Sequence, residues 1–194
     1  ETEPRFWPRV WSMFQTLFKG PMDLVDRVPA TSGLGAPWRF QVVMWNIPIS
    51  LLLLVFIAMS TMASVAAKVH LQGNDLLRLL TIFCLVDLVL SLLLFVHMVF
   101  VGCLNHGALW LWGGMKHGRG MVNTIRLTGY FMGFFMLVGF IPIIGSLVAL
   151  AGPAFMGLGM ARIHRTDPWR GVCAAYTPFV AFVGLAFALL VFVL

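Results

Sequence analysis

Five apolar stretches, each near or above the roughly 20 residues a helix needs to cross a bilayer, restrict this chain more than any other feature. They run from Ile47 to Ala67, Leu79 to Leu104, Leu127 to Ile143, Ile144 to Ile163 and Val172 to Leu194. With 60% hydrophobic residues and only 10% charged, the chain lies far from the roughly one-quarter charged composition of a soluble domain. The fold expected is all-α: a polytopic membrane helical bundle with five transmembrane helices and an N-terminal amphipathic interfacial helix. Residues 1–40 form a cytoplasmic N-terminal segment and 41–194 the five-span membrane domain.

The third and fourth stretches form one apolar run from Phe131 to Met160, broken only at Ile141-Pro142-Ile143-Ile144-Gly145-Ser146. Proline lacks a backbone donor and restrains the residue before it, so Pro142 with Gly145 predicts a turn between two short helices. Charge decides the same question. With five spans and the N-terminus inside, the inner segments hold eleven basic residues: Arg5, Arg9, Lys19, Arg27, Arg39, Lys116, Arg119, Arg126, Arg162, Arg165 and Arg170. The outer segments hold two, Lys68 and Arg78. Fusing the third and fourth stretches into one span would change the split to 8 against 5. Positive residues gather on the cytoplasmic side, which favours five spans, a cytoplasmic N-terminus and an external C-terminus. The formal net charge of +6 is thereby an orientation signal. It forms no clustered basic face of the kind nucleic-acid binding needs, and no nucleic-acid partner is expected.

In the N-terminal segment Phe6, Val10, Trp11, Phe14, Leu17 and Phe18 recur at helical spacing, while Arg9, Ser12, Gln15 and Lys19 fall elsewhere on the wheel. That pattern predicts a helix lying on the inner leaflet or packed on the protein's own spans. Residues from Gly20 to Trp38 read as an irregular connector. There is no apolar core of a secretory signal, and because the chain opens at Glu1 the native N-terminus is expected further upstream.

Polar residues within spans are costly and mark candidate sites. The second span carries Asp87, His97 and, at its inner end, His106. At about 100° per residue, Asp87 and His97 lie some 80° apart on the wheel, and His97 and His106 on opposite sides. They cannot share one site on that helix, so any pairing must come from another span or subunit. A polar path through Asp87 and His97 would suit a small transporter or lipid-handling protein; hydrogen bonds that only fix packing are the alternative. Five histidines, at 70, 97, 106, 117 and 164, show no spacing that puts two ligands on one helical face, although His106, His117 and His164 share the inner side. Three cysteines, at 84, 103 and 173, fit small apolar fillers. No G-x-S-x-G, H-E-x-x-H or P-loop occurs. The expectation is a non-enzymatic protein with no cofactor and no metal. Gly129-x-x-x-Gly133, Gly157-x-x-x-Ala161 and Gly184-x-x-x-Ala188 instead place small residues one turn apart, as close helix packing requires.

From His106 onward the order of features resembles the bacterial branch of the Yip domain family of integral membrane proteins. The matching positions are His106, Gly113-Gly114, Asn123-Thr124-Ile125-Arg126 with Tyr130, Ile141-Pro142-Ile143-Ile144-Gly145, Gly157-Leu158-Gly159, His164, Trp169-Arg170 and Pro178. Upstream, Leu17-Phe18-Lys19-Gly20-Pro21 with Pro29 is similar to the family's amphipathic lead into its first span. The resemblance implies five spans and a cytoplasmic N-terminal region. Eukaryotic members act in membrane traffic with small GTPases, but their Asp-Leu-Tyr-Gly-Pro and Gly-Tyr-Gly-Tyr-Ser signatures are absent here. On the residues themselves, Gly113-Gly114 through Gly120 predict the inner turn between spans two and three. Thr124 reads as a helix N-cap, and His106 and Tyr130 as hydrogen-bonded across spans. Lys116, Arg119, Arg126, Arg162, Arg165 and Arg170 are candidates for contact with lipid headgroups or a partner. The partners expected are membrane lipids and either further copies of the chain or other membrane subunits, in a bacterial inner membrane, where the protein serves as a scaffold or accessory subunit.

Overall fold

A computed structural model describes residues 33–66, 73–115 and 120–193, together with Pro8, Trp11, Ser12, Gln15 and Val25. Most of the predicted N-terminal amphipathic helix, together with Lys116, His117 and Arg119, lies outside the described residues. All regular structure among the described residues is helical: α1 (Gly35–Ala66), α2 (Gly73–Leu111), α3 (Met121–Gly139), α4 (Pro142–His164) and α5 (Pro168–Val193). Each of the five is long and apolar enough to cross a membrane.

The helices overrun the apolar stretches, mostly at the end that carries the arginines. Gly35 to Trp38, expected in a connector, form the first turn of α1. Proline is tolerated there because the first amides of a helix have no helical acceptor to bond, so Pro37 lies in the opening turn and not before it. Three residues of polar or basic character, Asn123, Thr124 and Arg126, lie inside α3, which begins at Met121 and not at Leu127. The break between α3 and α4 is confined to Phe140 and Ile141; Pro142 and Gly145 are in the first turn of α4, where proline at the first position costs no hydrogen bond. Gly113 closes α2 with φ +68°. Its amide bonds to Trp110 O at 2.9 Å and the Gly114 amide to Leu109 O at 2.9 Å, a Schellman ending.

α3 is the central helix, packed against α1, α2 and α4, while α5 packs against α4 and α2. The core gathers Phe40 and Met44, Leu109, Leu127 and Phe131, Met156 and Met160, and Ala174. All of them lie toward one end of the bundle, here termed the basic end, where α1, α3 and α5 begin and α2 and α4 finish. The opposite end, which carries the α3–α4 turn, is loosely packed: residues 51–63, 81–90 and 179–192 are mostly exposed.

Close approach is made by glycine. A Cβ at Gly102 of α2 would lie 2.7 Å from Ile125 Cα of α3, and one at Gly157 of α4 would lie 2.5 Å from Val172 Cα of α5. Gly129 and Gly133 receive Pro37, Phe40 and Met98 in the same way, so two of the three small-residue pairs are helix contacts. Gly184 has nothing within 4 Å. Lipid gives apolar helices no solvent-driven reason to associate, so these backbone contacts carry much of the packing. Gly102→Ala is accordingly expected to destabilise by about 1–3 kcal/mol through overpacking. Gly184→Ala should stay within about 0.5 kcal/mol of the parent. Thermal midpoints in detergent measure both, and equal midpoints for Gly102→Ala and parent would contradict the packing described.

Candidate functional site

The basic end contains a polar node built by three helices. Thr124 is fully buried near the start of α3. Its hydroxyl lies 3.0 Å from His106 Nδ1 on α2 and 2.8 Å from His164 Nε2, the last residue of α4. The two imidazoles face one another across it, ring centroids 5.5 Å apart and tilted by 56°. The N-cap role expected of Thr124 is not observed. Gly120 occupies that position and has no side chain to cap the helix, while Thr124 lies four residues further in with its hydroxyl on the histidines.

A hydroxyl has one proton and can accept two. Thr124 can thus donate to one imidazole while accepting from the other, and one of the two facing nitrogens is then bare while its counterpart carries hydrogen. The tautomers of His106 and His164 are coupled through a single oxygen. Shifting both protons along the bonds would leave one ring an imidazolate and the other an imidazolium, so a neutral reversal also requires proton exchange at the far nitrogens, His106 Nε2 and His164 Nδ1. His164 is fully buried and its Nδ1 has no partner among the described residues, where the chain of bonds ends at that ring. One turn further along α3, Thr128 and Asn105 of α2 are also buried; Asn105 Nδ2 reaches Thr128 Oγ1 at 3.5 Å and Met156 Sδ at 3.7 Å, both long.

A second cluster locks the end of α2 onto α5. Arg170 donates through Nη1 to Gly113 O at 2.7 Å, pairs through Nε with Asp167 Oδ2 at 3.0 Å and lies over the Trp169 ring at 5.3 Å. Trp112 Nε1 donates to Thr177 Oγ1 at 2.9 Å and meets the edge of Trp169 at 6.1 Å. Arg170 thus spends its donors on the fold. Arg126 is buried and donates through Nη1 to Asn123 Oδ1 at 3.0 Å, which turns it away from the outward role predicted for it. Arg162 and Arg165 are exposed at the end of α4, where headgroups or a partner could reach them. Tyr130 is buried with its ring 5.4 Å from Phe40.

Asp87 and His97 are not brought together. They sit ten positions apart on α2, about 15 Å along its axis, and neither has a hydrogen-bond partner among the described residues. Asp87 Oδ1 is shielded without one. His97 is exposed and lies on the rim of a cleft of about 530 Å³ between α2, α3, α4 and α5, on the side of the node nearer the α3–α4 turn. Among the described residues no three His, Cys, Asp or Glu side chains are grouped to hold a metal ion. The grouping of His106 with His164 was readable from topology; Thr124 as their common partner was not, because a threonine ahead of an apolar run signals a cap by local rules alone.

No family model, curated protein or solved structure matches this chain.

If the node holds the helices together, Thr124→Val, which removes the hydroxyl at nearly constant shape, leaves two buried nitrogens unpaired and lowers stability by about 1–3 kcal/mol. Thr124→Ser keeps the oxygen and should recover most of that loss. Thermal midpoints of the purified variants test it; a valine variant as stable as the parent would refute the node's structural weight.

Proposed function

We propose that the protein is a non-enzymatic subunit or scaffold of a membrane assembly, set in a bacterial inner membrane with its basic end toward the cytoplasm. The observation that carries this reading is α5 beyond Pro178. From Phe179 to Phe192 the helix is exposed on all its sides. A span in a self-contained bundle buries one face against its neighbours, and this half-helix buries none. Gly184 and Ala188 lie one turn apart on it, with open space at Gly184, and small residues so placed let a second helix approach closely. The exposed halves of α1 and α2 extend the same unpartnered surface at the same end.

The orientation rests on the eleven-to-two division of basic residues. The same topology is implied by the resemblance to the Yip domain family, which is carried by the order of residues from His106 to Pro178. Arg162 and Arg165, exposed at the end of α4, would then meet anionic headgroups or acidic groups of a cytoplasmic partner.

The test is gentle extraction of the native protein, with sizing and mass spectrometry of what accompanies it. The expected result is a homo-oligomer or a stable association with other membrane subunits. Gly184→Leu should disperse that assembly while leaving the stability of the individual chain within about 0.5 kcal/mol of the parent, since none of the described residues packs on the position. A monomer with no accompanying protein under the mildest extraction would overturn the reading.

A further inference from the structure

The geometry points to a binding site, in the cleft between α2, α3, α4 and α5, for an uncharged lipid with a carbonyl-bearing ring at its head, of the quinone class. The site adjoins the assembly surface just described and shares Phe179 and Phe182 with it. Its volume of about 530 Å³ falls in the range of pockets that hold small organic ligands. The space has a cause in the sequence. Pro153 and Pro178 both line it, and each removes the amide that would bond to the carbonyl four residues earlier, so α4 and α5 each lack one backbone hydrogen bond beside the cleft. Tyr176 donates to Leu150 O at 2.6 Å and ties the two helices together there. Phe179 and Phe182 of α5 and Phe100 of α2 stand at the open side, exposed by 58, 72 and 60%. The cleft therefore opens laterally, toward lipid.

Charge and hydrogen bonding narrow the ligand. No Lys, Arg, Asp or Glu lines the cleft. A phosphate or carboxylate drawn into it would be desolvated without a counter-charge, at a cost of several kcal/mol. An all-hydrocarbon chain pays no such penalty, but it leaves Asn105 as it stands. That side chain is 1% exposed, lines the deep end of the cleft, and places its Nδ2 only within 3.5 Å of Thr128 Oγ1 and 3.7 Å of Met156 Sδ. Both contacts are at the edge of hydrogen bonding. A ligand carbonyl would give this amide a closer and stronger acceptor than either. A flat ring fits beside Phe135, which also lines the space, and offset or edge-on aromatic contact favours a ring over an aliphatic chain. The tail would leave between Phe100 and Phe179 into the bilayer, and His97 stands at the rim, where a second carbonyl or hydroxyl could meet it.

The experiment uses the full chain in nanodiscs of neutral phospholipid and follows binding of a short-tailed benzoquinone by calorimetry and thermal midpoint. An alkylbenzene with the same tail but no carbonyl serves as control. The parent is expected to bind the quinone saturably, at least about tenfold more tightly than the alkylbenzene. Asn105→Leu should weaken quinone binding by about tenfold or more and leave the alkylbenzene unaffected. Ala149→Trp, which fills the cleft from its lining, should abolish saturable binding of both. If Asn105→Leu fails to fold, the preference of the parent for quinone over alkylbenzene and the Ala149→Trp result decide. Equal affinity for the two probes would make the cleft a groove for ordinary acyl chains. Binding unchanged in Ala149→Trp would mean partition into the bilayer, and no binding would leave the site unoccupied by this class; each of these outcomes overturns the proposal.

Discussion

One hydroxyl, that of Thr124, joins three helices. In a bilayer, polar groups must find partners within the protein or bear the cost of desolvation, and this chain has few with which to do it. By holding His106 of α2 at 3.0 Å and His164 of α4 at 2.8 Å, Thr124 fixes α3 between its neighbours at the level where the core is densest. Individual hydrogen bonds of this kind contribute only about 0.6–1.7 kcal/mol in membrane proteins. Their weight here comes from position. The glycine contacts of α3 with α2, and the close seat of α4 on α5, are formed around the register that the node sets.

From that end the bundle loosens steadily. Leu127, Phe131 and Met160 are buried, and Arg170 with Trp112 clamps α2 to α5. Toward the α3–α4 turn, the helices separate, Pro153 and Pro178 each leave α4 and α5 one backbone hydrogen bond short, and a cleft forms between them. The two proposals have a common physical origin in this gradient. A closely knit basic end supplies rigidity, and an open far end supplies surface and volume that the chain does not fill by itself.

Much of this is legible in the sequence. Apolar runs of spanning length located all five helices, and Pro142 marked the separation of α3 from α4 because its effect on the backbone is local. Gly113-Gly114 likewise marked the end of α2. The departures share a reason. Helix ends at the basic end carry Pro37, Asn123, Thr124 and Arg126, residues that local rules read as connector or cap, and it is tertiary packing that draws them into helix. Thr124 is the sharpest instance: a threonine before an apolar run satisfies the rule for an N-cap, yet its hydroxyl goes to imidazoles 18 and 40 positions away. Asp87 and His97 stood out as polar residues within a span, and the structure leaves them apart. The cleft is not visible in sequence, since it depends on how four helices diverge, although Pro153 and Pro178 mark where two of them lose a backbone hydrogen bond.

Nitrogen NMR of the histidine-labelled protein in a bilayer tests the node most directly. The shared hydroxyl predicts two imidazoles in fixed tautomers, with hydrogen on one of the pair His106 Nδ1 and His164 Nε2 and none on the other, and with the coupling between them lost in Thr124→Val. Two rings that exchange tautomers freely and independently, as histidine does in water, would contradict the account.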